Sequence, residues 1–327
     1  MAVATATSRT RRVLPGIRRA IQPIAEARGL ARAMLWIGAL ITGFFVVLAA
    51  FAFAISPYKF DQYQAHGKRF DQLAHPSSAH LMGTTVQSTD VLARVIWGAR
   101  TELEVVALAL AFGLIVGVPL GVVSGYFGGP LDRVLVLIMD ALFAFPYLLL
   151  AIVIAFLLGG SVGKGVFTAA IAITVVYIPQ YFRVVRNHVI SVREEPYVEA
   201  ARALGAKPFS IMRRYVFFNV VQNVPVIATL NAADAILTLA ALGFLGYGIQ
   251  PSQAAEWGYD ISRATSDATS GIWWTGLYPG LAIVLLVTGL TLLGEGLNET
   301  INPVLRRRRI EKVEFAGGSI VEAEIGE

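Results

Sequence analysis

Six long apolar stretches, separated by short segments that hold most of the charge, limit what this chain can fold into. They are Met34–Ser56, Val105–Phe127, Val134–Leu158, Val166–Phe182, Val220–Tyr247 and Leu277–Leu297. A bilayer core about 30 Å thick needs roughly 20 apolar helical residues to cross it. Lipid offers no partner to a free backbone N–H or C=O, so each stretch must be helical. Only 15% of the chain is charged and 56% is hydrophobic, which excludes a soluble globule and a disordered chain. The absence of cysteine excludes a disulfide scaffold. The expected fold is an all-α polytopic membrane protein with six transmembrane helices.

Lysine and arginine set the orientation. Of 27, seven lie in residues 1–33, one at Arg133, seven in 183–219 and five after Asn298. The alternate segments 57–104, 159–165 and 248–276 hold five, one and one. The positive-inside rule therefore places both termini in the cytoplasm. The uncharged core of the first stretch is too long for a signal peptide, which makes it a signal anchor. Ahead of it, Val13, Leu14, Ile17, Ile21 and Ile24 fall at helical spacing, with Arg11, Arg12, Arg18 and Arg19 on other faces. Residues 1–33 thus suit either an interfacial helix or an unstructured basic arm.

No catalytic constellation is visible: H-E-x-x-H, G-x-S-x-G and Cys/His clusters are all missing. His66, His75 and His80 share an outer segment, but their irregular spacing favours ordinary solvated side chains over a metal site. Residues 158–165 fail as a phosphate loop, because Leu158 replaces the first glycine and Gly165 the Mg²⁺-binding hydroxyl. The chain is expected to be no enzyme and to bind no cofactor, metal or nucleic acid. A membrane enzyme is disfavoured; a transporter subunit and a stand-alone secondary transporter or channel remain.

The informative segment is the inner loop 183–219. Glu194, Glu195 and Pro196 suit the start of a short helix, and Gly205 suits a left-handed residue that ends it. Pro208 can open a second helix ending in Arg213 and Arg214. Ala200, Ala201 and Ala203 keep the first helix low, so another protein could approach closely. Spacing alone fits a solvated linker equally well.

The residues Glu199-Ala200-Ala201-x-x-x-Gly205 resemble the EAA motif of ABC-importer permeases. Six further segments resemble the dipeptide/oligopeptide/nickel branch of that family, C-type subunit: Asp90–Arg100, Gly125–Arg133, Asp140–Pro146, Gly243–Pro251, Trp273–Ile283 and Leu293–Leu297. Two segments depart from the family pattern, Gly83–Asp90 and Tyr215–Phe218. The resemblance implies a type I permease fold with its transmembrane domain at about 98–298. A basic arm, a first span and an outer loop over 57–104 would precede this domain, and a cytoplasmic tail over 299–327 would follow it. It implies a cell (inner or plasma) membrane location, a second homologous permease, two ATP-binding cassette ATPases and an extracytoplasmic solute-binding protein. ATP and Mg²⁺ would bind those ATPases, not this chain. Glu199, Ala200, Ala201 and Gly205 would couple to one ATPase, and the cargo would be a peptide or related small solute.

Within the spans, Gly113, Gly117, Gly121 and Gly125 recur every four residues and lay a smooth strip for close helix packing. That strip fits either a neighbouring helix of the chain or a partner permease. Pro119, Pro146, Pro179 and Pro225 can bend helices around a path. An intramembrane acid normally faces the bundle interior or water, which makes Asp234, with nearby Asn231, the leading path-lining pair. Asp140, closer to a span end, is the weaker one.

Overall fold

In the computed structural model the described residues are 29–159, 165–301 and one pair of two-residue strands at 313–314 and 320–321. Helix α1 runs over Gly29–Ala50, with one further turn at Ala52–Ile55. A connecting segment with a hairpin of two-residue strands, Gln64–Ala65 against Lys68–Arg69, leads to the 37-residue α2, Val91–Phe127. Helix α3, Gly129–Ala144, and α4, Tyr147–Gly159, follow, then α5 over Val166–Arg193. The short α6, Pro196–Ala203, precedes an irregular helical stretch that includes a π-helical turn at Met212–Val216. Helices α7, Val224–Phe244, α8, Trp257–Thr269, and α9, Trp274–Ile301, complete the bundle.

Among the described residues five helices are long and apolar enough to cross a membrane, and α3 with α4 makes a sixth span if the bent pair is counted as one. The stretch 134–158 is thus not one straight helix. Its two halves meet at 96°. Pro146 has no N–H to donate and forces Phe145 out of the helical region, to φ −77° and ψ 138°. Pro119, Pro179 and Pro279 lie inside α2, α5 and α9, which remain unbroken. The spans also differ in extent from the apolar stretches. Helix α2 begins well before its apolar stretch, because Asp90 caps it by accepting the Ala93 N–H at 2.7 Å. Helix α5 runs on to Arg193, so residues 183–193 are helix rather than loop. The fifth span starts at Val224, after a 3₁₀ turn over Val221–Asn223, rather than at Val220.

Helix α2 packs along the length of α5, and the glycine strip is the reason it can. A Cβ on Gly117 would stand 2.8 Å from the Tyr181 Cβ, and one on Gly121 2.8 Å from the Phe182 carbonyl oxygen. One on Gly125 would meet the Arg186 carbonyl at 2.8 Å, and Gly113 faces the Tyr181 ring. The strip is therefore occupied within the chain. A second close approach, unforeseen from the sequence, joins α1 to α9. There a Cβ on Gly38 would lie 2.4 Å from the Leu293 nitrogen, and Gly289 and Gly296 face Ile41 and Leu35. Small residues at such contacts let helix backbones gain dispersion energy that lipid alone cannot drive.

Two apolar cores result. The larger joins α1, α2, α4, α5, α7 and α9, with Trp257 and Trp274 fully buried in it. The smaller lies where α2 and α5 end, and gathers Val122, Val185, Val189, Val198, Ala201, Ile211 and Val216. It fastens the α6 region to the bundle. The basic arm over 1–28, residues 160–164 of the rejected phosphate loop and most of the tail lie outside the described residues.

Candidate functional site

Helix α6 is built as a rigid projection. Pro196 sits in its first turn, where a missing N–H costs nothing. At its other end the Ala206 N–H donates to the Ala201 carbonyl at 3.1 Å and the Gly205 N–H to the Arg202 carbonyl at 3.0 Å. This paired 6→1 and 5→2 arrangement requires a left-handed residue, and Gly205 supplies it at φ +78°. Val198 and Ala201 point into the smaller core, with Ala201 only 7% exposed. The outward face is then Glu199, Ala200, Ala203 and Leu204. Ala201 thus differs from its neighbours, since its small side chain seats α6 on its own bundle rather than on an outside surface. Leu204 is 88% exposed and Phe209 70%, two large apolar side chains left open beside the helix. Glu199 makes no ion pair among the described residues.

The end of α2, the start of α3 and the last turns of α5 are tied by charge. Asp132 accepts two hydrogen bonds from Arg186, at 2.6 and 2.7 Å, and one from Ser124 at 2.5 Å. Arg193 donates to the Gly125 carbonyl at 2.8 Å. Both charged partners are largely sheltered, so the fork geometry is worth more than a surface pair. Asp132→Asn is expected to lower stability by about 2 kcal/mol, the scale of hydrogen bonds to charged groups. Thermal unfolding of the purified chain in detergent measures it.

The sequence-derived path residues separate. Asp234 is exposed and lines a cavity of about 450 Å³ between the α3–α4 bend, α5 and α7. Asn231, three residues earlier and so near the same face of α7, is 2% exposed and lies on the packed side of that face rather than in the cavity lining. Asp140 does not line the cavity. It pairs with Arg183 at 2.7 Å, and the Arg183 guanidinium lies 4.0 Å from the Phe143 ring centroid.

At the opposite end of the bundle stands a buried polar cluster that the sequence did not reveal. Glu256 caps α8, accepting the Gly258 N–H at 2.6 Å and the Tyr259 N–H at 2.7 Å. Glu102 accepts the Trp257 N–H at 3.4 Å, and both carboxyls are fully buried. Gly243 and Gly98 leave the room that Glu256 and the Trp257 indole occupy. Beside them Arg94 pairs with Asp260 at 2.6 Å. Burial pushes the Glu256 carboxyl up to about 8, with the Asp260 charge adding to it against the two backbone donors. The only sequence signal was negative: acidic residues in an outer segment ordinarily read as solvated. The departing segment Gly83–Asp90 lies at the same end of the bundle. Its Thr84 carbonyl accepts the Trp274 indole N–H at 3.2 Å, and Asp90 lies 2.8 Å from His80. His75 rests on Trp274, with ring centroids 4.4 Å apart.

Comparison with known proteins agrees with this architecture. Residues 117–307 match the family described as binding-protein-dependent transport system inner membrane component. The chain is 37% identical over 270 residues to the dipeptide transport system permease protein DppC of Alkalihalophilus pseudofirmus, covering 83% of this chain and 86% of that one. It is 33% identical over 273 residues to the glutathione transport system permease protein GsiD of Pectobacterium atrosepticum, covering 82% and 87%. The Bacillus subtilis DppC is 33% identical over 268 residues, 82% of each chain. In fold it is similar to a chain of the inward-facing MetNI methionine ABC transporter, with a TM-score of 0.52 at 22% identity, covering 64% of this chain and 96% of that one. The helical bundle and these relatives together place the chain in the binding-protein-dependent inner membrane component family, as a non-catalytic, multi-pass permease subunit of an ABC-type importer.

Proposed function

We propose that this permease moves short peptides inward across the cell membrane. In this reading it forms half of the path with a second, related permease, above two ATPase subunits and below an extracytoplasmic binding protein. Two of its relatives are named for dipeptide and glutathione transport, and both cargoes are short peptides in chemical terms. Both termini then lie in the cytoplasm, since lysine and arginine concentrate in the segments on the side of α6. The observation that carries the mechanism is α6 itself. A helix capped at Gly205, pinned by Val198 and Ala201 and presenting Glu199, Ala200 and Leu204 outward is a stiff lever. Closure of the ATPases on ATP would push it, and the smaller core would pass that movement to α2 and α5 as a rigid-body tilt.

Purification of the tagged chain from its native membrane in gentle detergent tests the assembly. A second permease and ATPase subunits are expected with it. Recovery of the chain alone, with ion-driven transport after reconstitution, would overturn the reading in favour of an autonomous transporter. The lever makes its own prediction. Leu204→Asp changes only an exposed side chain, so it is expected to leave insertion and thermal stability unchanged. ATP-driven uptake should fall by roughly tenfold or more, the scale of one interface anchor. Gly205→Asp is expected to do the same at an added strain of about 1–2 kcal/mol, because a Cβ there meets open space and only the backbone objects.

A further inference from the structure

The cavity of about 450 Å³ beside the α3–α4 bend has one charged group in its lining, Asp234. The rest of the wall is apolar apart from the Gln180 amide, with four aromatic side chains, Phe143, Phe145, Tyr147 and Tyr177, among aliphatic ones. Phe143, Phe145 and Tyr147 are each more than half exposed, so the cavity is open to something larger than a trapped water.

An acid at membrane depth is retained only where it meets water, a counter-ion or a ligand. Among the described residues no cation pairs with Asp234 and no side chain donates to its carboxylate. The Thr238 hydroxyl is spent on the Asp234 backbone carbonyl at 2.9 Å. Arg183, three residues beyond Gln180 on α5, is held by Asp140 and the Phe143 ring. The carboxylate is therefore free toward the cavity. Aromatic faces carry negative potential and attract cations, most strongly where water is scarce. A carboxylate among such faces favours a positive group and repels a negative one. A hard divalent ion calls for six or more oxygen ligands, and one carboxylate with an amide supplies too few. An organic ammonium needs only one anion and a ring face.

We propose that Asp234 and the rings around it form a subsite for the protonated amine of the cargo on its way through the permease. This rests on the peptide-importer reading above, since a short peptide carries such an amine at its N-terminus. The subsite fixes which end of the peptide is held at the level of the bend, and it disfavours cargo whose amine is blocked.

The test uses the purified importer in detergent, without its binding protein, so that selectivity there does not intervene. Binding of dialanine amide and of its N-acetyl derivative is compared by saturation-transfer NMR. The free amine is expected to bind about tenfold or more tightly than the acetylated compound, the effect of one hydrogen bond to a charged group. Asp234→Asn should remove the difference and Asp234→Glu should restore most of it, with all three complexes eluting alike on gel filtration. Equal binding of the two compounds to the unaltered importer overturns the subsite, as does a preference that survives Asp234→Asn. A separate measurement, uptake of dialanine by the complete reconstituted importer, reports on the peptide reading. Amine selectivity without peptide uptake would sink that reading and leave the ammonium subsite standing.

Discussion

Gly121→Leu is expected to prevent recovery of folded permease, although the substitution replaces a poor helix former with a good one. In an open helix, glycine to alanine or leucine gains up to about 1 kcal/mol from propensity. Here the first carbon alone would sit 2.8 Å from the Phe182 carbonyl and 3.0 Å from Val185, and two of the three atoms belong to a buried side chain with nowhere to go. Overpacking costs about 1–3 kcal/mol for an added carbon or two, and a leucine forces α2 and α5 apart along their length. The penalty exceeds the gain severalfold, so the sign reverses. Gly121→Ala should be destabilising as well, by less. Gly43 in α1 is the control, because a Cβ there meets nothing within 4 Å, and Gly43→Ala is expected to be neutral or slightly stabilising. Yield and unfolding temperature of the three variants in one detergent measure the contrast. Equal behaviour of Gly121→Ala and Gly43→Ala would mean the α2–α5 contact is looser than its geometry.

The contrast marks how far the sequence could be read. A four-residue glycine period announces a contact face, but the period is silent on which helix fills it; only the position of Tyr181, Phe182 and Val185 decides that. Proline behaves in the same way. Pro119, Pro146 and Pro179 are indistinguishable by count, yet of the three only Pro146 stands at a break, where the helices before and after meet at 96°. The fold class was legible because the bilayer imposes length and apolarity on every span. Side-chain direction was less so. Asp234 could be expected at a cavity from its charge alone, whereas its separation from Asn231 depends on the rotation of α7 against its neighbours. Ala201 looked like part of an outward face and lies inward, since an eight-residue helix has no periodicity long enough to declare its buried side. Glu102 was the hardest case. Its partners Trp257 and Glu256 stand some 155 residues away, and no local pattern links them.

That buried pair carries the second large effect, a stability at this end of the bundle that falls as pH rises. Burial, reinforced by the Asp260 charge, pushes the Glu256 carboxyl from the usual 4.5 to about 8. Glu102 faces it, equally buried, and two carboxylates so placed cannot both be ionised at small cost. The folded chain thus holds a proton that the unfolded chain releases. Stability linked to it is complete below about pH 4.5 and is lost as pH rises through about 8. Burial also pushes the Asp260 carboxyl up, against the opposing pull of Arg94, and this adds in the same direction. Unfolding temperature in detergent is therefore expected to decline between pH 5 and 9. Glu102→Gln replaces one acid by a neutral donor of nearly the same shape, so the decline should flatten and the variant should be the more stable at pH 9. Asp260 keeps the remainder of the slope. Glu256→Ala is expected to be worse at every pH, because the Gly258 and Tyr259 N–H groups lose their acceptor in a buried site, at about 1–3 kcal/mol each. A slope left unchanged by Glu102→Gln would show that the proton is not shared between these two side chains. The pH response then comes from Glu256, raised by its own burial, and from Asp260.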